Sequence, residues 1–201
     1  MHSGDITFEG PAIDDPSILD RLSAAHRAFL AQRNGVIAFG GGLHIRGACR
    51  QPAWHALRTA WEGPLALHTL YRAVQPGDVP FAEDALGDQF LERDEMVYRL
   101  HAETGEVVAL GCDLNAFLES SCADPIGFLQ LAPLQQFWSE GGHLEPGQLV
   151  NVYPPFCTTE SRKGVSLRAI PSGERISWLA AFAAQIRDLP DGSSVQITLT
   201  P

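Results

Sequence analysis

No stretch of the 201-residue chain approaches the ~20 consecutive apolar residues of a membrane-crossing helix. Its first residues, MHSGDITFEG, have neither the basic start nor the apolar run of a secretion signal, so a cytoplasmic location is expected. Metal-ligand spacing is missing too. His2, His26, His44, His55, His68, His101 and His143 are spread singly, with no H-x-x-x-H or H-E-x-x-H among them. Cys49, Cys112, Cys122 and Cys157 lie far apart and read as reduced, mostly buried thiols. No G-x-S-x-G elbow surrounds a serine. Gly40-Gly41-Gly42 lacks the Lys-Ser/Thr ending of a phosphate loop and reads as a tight turn or bulge. These absences leave no catalytic residue, no metal ligand and no cofactor to name, and a non-enzymatic protein is expected.

Positive charge is scarce in one place. The net charge of −10 is carried by residues 78–124, where twelve acids face only Arg93 and Arg99; the flanking segments sum to +1 and −1. Such a block repels nucleic acid and anionic membrane and attracts a basic protein. The alternative is a sheet face kept charged for solubility. A hydrophobic fraction of 45% and a charged fraction of 19% are those of a globular chain long enough for its own core.

Along the chain, residues up to Asp14 read as an arm or edge extension. Asp15-Pro16 opens a helix whose Ile18, Leu22, Ala25 and Phe29 share a face until Asn34-Gly35 ends it. Val36 to Arg46 reads as a bent strand or strand pair, and Pro52 to Glu62 as a short helix with Trp54, Leu57 and Trp61 on one face. Leu65 to Val74 reads as a strand. Asp124-Pro125 opens a helix that Pro133 divides. GGHLEPG, residues 141–147, is the best linker candidate. Strands at Leu149–Tyr153 and Val165–Ile170, a helix over Ser172–Leu189 and a strand through Val195, Ile197 and Leu199 form a ββαβ tail.

The organising stretch is residues 79–118. Val79-Pro80-Phe81 is extended, Ala82 to Gly87 reads as a loop, and Gly87 supplies the freedom a turn into a strand needs. Asp88 is expected to tie that turn by accepting backbone N–H groups. Gln89–Arg93, Met96–His101 and Glu106–Leu110 then form a three-stranded antiparallel meander, closed by tight turns at Asp94-Glu95 and Ala102–Gly105. Asp113 is an N-cap for a helix carrying Leu114, Phe117 and Leu118. The fold class read from this is α+β, a twisted, mainly antiparallel sheet around that meander with flanking helices. Residues 1–140 form the main domain, and residues 141–201 an extension packing on it or continuing it.

The order apolar-Pro-Phe-Ala-x-Asp-x-x-Gly-Asp-x-Phe at Val79–Phe90, then Val97-Tyr98, Glu103-Thr104-Gly105-Glu106 and Leu114-x-x-Phe117-Leu118, resembles the SUKH superfamily, which includes the fungal Smi/Knr regulators. Roughly Pro16 to Leu118 is covered. The resemblance implies an α+β fold and, for bacterial members, an immunity protein that binds and neutralises a toxin; the missing secretion signal favours one acting in the cytosol, such as a nuclease or deaminase. Glu83, Asp84, Asp88, Asp94, Glu95 and Glu103 are the candidate contacts to a basic partner, with Gly87 a structural turn. A regulatory interaction module without a toxin is the alternative. An enzyme with a dispersed site around His101, Glu83 and Asp88 is the reading from a different class.

Overall fold

Strand pairing in the larger sheet follows chain order. The computed structural model describes residues 5–63, 65–190 and 192–195. Strands β1 (Ile6–Glu9), β2 (Val36–Ala38), β3 (Leu43–Ile45), β4 (Val79–Asp84), β5 (Gln89–Arg93), β6 (Met96–His101) and β7 (Glu106–Asp113) form a seven-stranded sheet in that order, every neighbouring pair antiparallel. Strands β8 (Gln148–Tyr153) and β9 (Ser166–Pro171) make a separate antiparallel pair. The fold is α+β, and the central meander occupies one end of the larger sheet.

The helices are α1 (Pro16–Leu19), α2 (Ala24–Gln32), α3 (Leu57–Trp61), α4 (Leu67–Leu70), α5 (Leu114–Ala123), α6 (Pro125–Phe128), α7 (Ala132–Ser139) and α8 (Ser172–Ile186). The single helix expected from Asp15 to Arg33 is two, because the extended Ser23 caps the second, its hydroxyl accepting from the His26 N–H. The strand expected over Leu65–Val74 holds α4 instead. Leu67 is its buried residue, and Tyr71 and Val74, which follow it at helical spacing, are buried with it. The expected cap at Asp113 forms, its carboxylate accepting from Ala116 N–H at 2.8 Å. Helices α6 and α7 flank a break at Leu129–Leu131, with Pro133 in the first turn of α7.

Two apolar clusters hold the layers together. One joins α2, α5 and α7 to the sheet through Leu30, Phe117, Leu134, Phe81 and Phe90, and also contains Leu144, Val150 and Val152. The other sets Leu179 and Ile176 of α8 and Leu67 and Tyr71 of the α4 region on Leu91 and Leu100. Residues 141–190 therefore contribute to both clusters, and Leu144 of the expected linker is buried. The strand expected over Val195–Leu199 lies, from residue 196 on, outside the described residues.

The β4–β5 turn is where α8 closes on the sheet. Gly87 has φ +101°, and a Cβ there would stand 2.7 Å from Leu179 Cδ1. Gly87→Val should therefore reduce the unfolding free energy by about 1–3 kcal/mol, from left-handed strain plus overpacking, read as a lower urea midpoint at unchanged m.

Candidate functional site: a buried ionic row across the sheet

Residues directly opposite each other on antiparallel strands share a face, so register builds rows. One row runs Ile37, His44, Glu83, Gln89, Leu100 and Val107 across β2 to β7. Its polar middle is buried and bonded end to end. His44 Nδ1 lies 2.9 Å from Glu83 Oε1, and His44 Nε2 lies 2.9 Å from Nδ1 of the stacked His55, whose Nε2 meets the Asn34 carbonyl at 3.0 Å. On the other side Arg46 Nη2 donates to Glu83 Oε2 at 2.6 Å and to Gln89 Oε1 at 2.8 Å, while its Nη1 donates to the Pro80 carbonyl. Phe8 and Trp54 pack against the His55 ring.

The Asn34 carbonyl can only accept, so His55 carries its proton on Nε2 and accepts at Nδ1. His44 must then donate from Nε2. Its contact with Glu83 needs one more proton, held by His44 as imidazolium or by the Glu83 carboxyl. Burial penalises the charged Glu83, but Arg46 and His44 outweigh it and take the carboxyl down to about 2. Burial pulls His44 downward against Glu83. The hydrogen-bond count and the Arg46 bond favour an ionised Glu83 facing a protonated His44. Burial, then His44, lower His55 to about 4, in keeping with its accepting Nδ1.

Asp84, next along β4, points to the opposite face. Its Oδ1 accepts from the N–H groups of Leu86, Gly87 and Asp88, and its Oδ2 from Arg99 Nη2 at 2.8 Å. Arg99 Nε and His101 Nδ1 both reach Asp88 Oδ2, and Asp88 Oδ1 accepts from Ala102 N–H. Burial and Asp88 push Asp84 up to about 7. Burial opposes ionisation of Asp88, yet His101 and Arg99 hold it down, and Asp88 in turn raises His101.

This overturns the reading of Glu83 and Asp84 as free loop acids. Both are 1% exposed and lie within β4, which runs through residues expected to be loop because each carboxylate meets a base on its own face. Asp84, not Asp88, ties the turn around Gly87; Asp88 is half-buried and anchors the β6–β7 turn by accepting from Ala102 N–H. Glu103 is also half-buried, accepting from the N–H groups of Phe156 and Cys157. Asp94 and Glu95 are exposed, at φ +51° and +63°, in a two-residue hairpin turn. Glu83 is joined to His44 and Arg46, whereas His101 is joined to Asp88; the two sets lie on opposite faces, so His101, Glu83 and Asp88 do not converge.

Four acids of the central block are buried, and each faces a base: Asp78 with Arg93, Glu83 with Arg46, Asp84 with Arg99, and Glu92 with His26 at 3.2 Å. Arg93 and Arg99, the bases of that block, are both committed to its carboxylates, Arg99 buried and Arg93 partly so. Sequence reasoning missed His44, Arg46 and His55. The available signal was His44 and Arg46 alternating with Leu43 and Ile45, which marks a buried polar face when the strand is central.

Among the described residues no group of three or more His, Cys, Asp or Glu could hold a metal ion, and no helix is long and apolar enough to cross a membrane. Comparison with family models, with curated proteins and with solved structures returns no match.

Two outcomes follow from the row. Arg46→Met strands Glu83 beside a single base and should cost about 3–5 kcal/mol by denaturant unfolding, the range for breaking a buried pair from one side. His55 has a folded value of about 4 against 6.5 unfolded, so the unfolded chain binds the proton more readily between them. Its contribution is complete above pH 6.5 and is lost as pH falls toward 4. His55→Gln should lower stability at pH 7 yet flatten the slope in that window, read from urea midpoints across pH.

Proposed function

We propose that this chain is a non-enzymatic protein-binding module, and that it serves as an immunity protein blocking a basic toxin that acts in the cytosol. The observation that carries this reading is what remains of the acidic block once its buried pairs are set aside. Asp94, Glu95, Glu106, Asp113, Glu119 and Asp124 are exposed, and residues 78–124 supply no exposed base among them because Arg93 and Arg99 are committed to Asp78, Asp84 and Asp88. The resemblance of residues 16–118 to the SUKH superfamily supports the same reading.

Backbone conformation adds to it. A two-residue hairpin turn with both φ positive favours Asn or Gly. Glutamate at Glu95 is strained there, and a carboxylate kept where glycine would be relaxed points to a use for its charge. Register places Met96, 40% exposed, opposite Asp113, so the turn, the end of β7 and the start of α5 form one acidic rim around an apolar side chain. That is the make-up of an interface patch, an apolar anchor inside a charged border.

Opposed charges raise the association rate more than the affinity. Association with the cognate toxin, followed by stopped flow, should slow by about tenfold between low and high salt. Asp94→Asn with Glu95→Gln should flatten that dependence and leave the melting temperature nearly unchanged. A rate indifferent to both salt and these substitutions would reduce the acids to a solvated face.

A further inference from the structure

β7 ends the larger sheet. Among the described residues it pairs only with β6, so the backbone N–H and C=O groups of its outer side have no strand partner. Edges of this kind are ordinarily short, bulged or charged along their length. The opposite edge, β1, is four residues long, has a register irregularity, and ends on Glu9, which pairs with Arg33. β7 is eight residues long, and its run Val107, Val108, Ala109 and Leu110 contains no charge. Val108 is 39% exposed and Ala109 is exposed beside it. The register irregularity comes only after Ala109, where Gly111 takes φ +70°, so Glu106 to Ala109 present a regular, unblocked edge.

Charge is confined to the two ends. Glu106 opens the strand and Asp113 closes it, with Asp94 and Glu95 beside Asp113 across the Met96 pairing. Both terminal residues of the strand are acidic; Arg72 and Arg187 line the cavity beside Glu106, but among the described residues no ion pair engages its carboxylate, so the strand's own charges select among occupants. A second copy laid antiparallel in full register would set Glu106 opposite Asp113 at both ends, and like charges directly opposed destabilise a strand pair. An extended segment with an apolar middle and Lys or Arg at its ends meets the opposite situation.

We infer that the β7 edge is a strand-addition site, and that the partner docks on it as an eighth strand with basic residues flanking an apolar centre. This rests on the protein-binding reading above and specifies its mode. Main-chain hydrogen bonds along Glu106–Ala109 supply the ladder, Val108 meets the partner's apolar centre, and the acidic ends set the register.

The test uses the full chain and a capped peptide of about eight residues, Val and Thr in the middle and Lys at both ends, followed by amide hydrogen exchange and NMR titration. A control peptide keeps the composition but is N-methylated on alternate amides, so it retains the charge and cannot form the ladder. The expected result is protection of alternate amides within Glu106–Leu110 by the first peptide, with affinity at least about tenfold above the control. Equal binding by both, with shifts confined to Asp94–Met96, would overturn strand addition while leaving the acidic-surface reading standing. Binding by neither would overturn both. Outer β7 amides already protected in the free chain, or a concentration-dependent dimer in sedimentation, would show the edge to be covered by the chain's own residues beyond Val195 or by a second copy, and would equally overturn the proposal.

Discussion

A carboxylate in the middle of a seven-stranded sheet cannot stay ionised without a base of its own, and Glu83 is held by two. Arg46 and His44 lie on β3 and its continuation, one strand away, and Gln89 lies on β5. The same side chain thus ties three neighbouring strand regions at their centre. Isolated burial of a carboxylate costs several kcal/mol, so the strands around Glu83 are constrained to the register that brings its partners opposite. A slip of one residue would exchange Glu83 with Asp84 and leave both without their bases.

Asp84 does the complementary job on the other face. Its three backbone bonds shape the β4–β5 turn, and its bond to Arg99 reaches across β5 to β6. The turn it forms carries Gly87 in a conformation with no room for a Cβ, which lets Leu179 of α8 sit directly on the turn. Arg175, buried on the same helix, bonds the Leu86 carbonyl and Asn151, so α8, β8 and the turn lock together. The short acidic stretch 83–88 is therefore the hub at which the sheet and the C-terminal elements meet.

Consuming the buried acids in this way clarifies the surface. Inward pairing commits both arginines of the central block to buried or half-buried carboxylates, and the acids left outside have no exposed base from within that block. The exposed acids gather on the hairpin turn, the open strand and the helix after it, which is the part of the sheet furthest from β1. Structural electrostatics and surface electrostatics are thus separated by residue: Glu83, Asp84 and Asp88 fix the fold, while Asp94, Glu95 and Glu106 face outward.

Local physics made much of this legible in advance. Turn signals at Gly87 and Asp94-Glu95 bounded β5, two-residue alternation located β6 to the residue, and the caps at Asp113 and Asp124 were readable because capping involves neighbours three residues away. The α+β class followed from those elements. Helix α4 and the break before α2 were misread because a four-residue helix and a serine cap leave only weak periodic signals. The destiny of the acids was beyond local reading altogether. Glu83 and Asp84 differ from Asp94 and Glu95 in nothing that sequence displays; their partners His44, Arg46 and Arg99 come from 39, 37 and 15 residues away. Propensity, pattern and net charge belong to the chain by itself, whereas whether a carboxylate is buried or exposed depends on which base the strand register brings opposite it, and that register exists only once the sheet has formed.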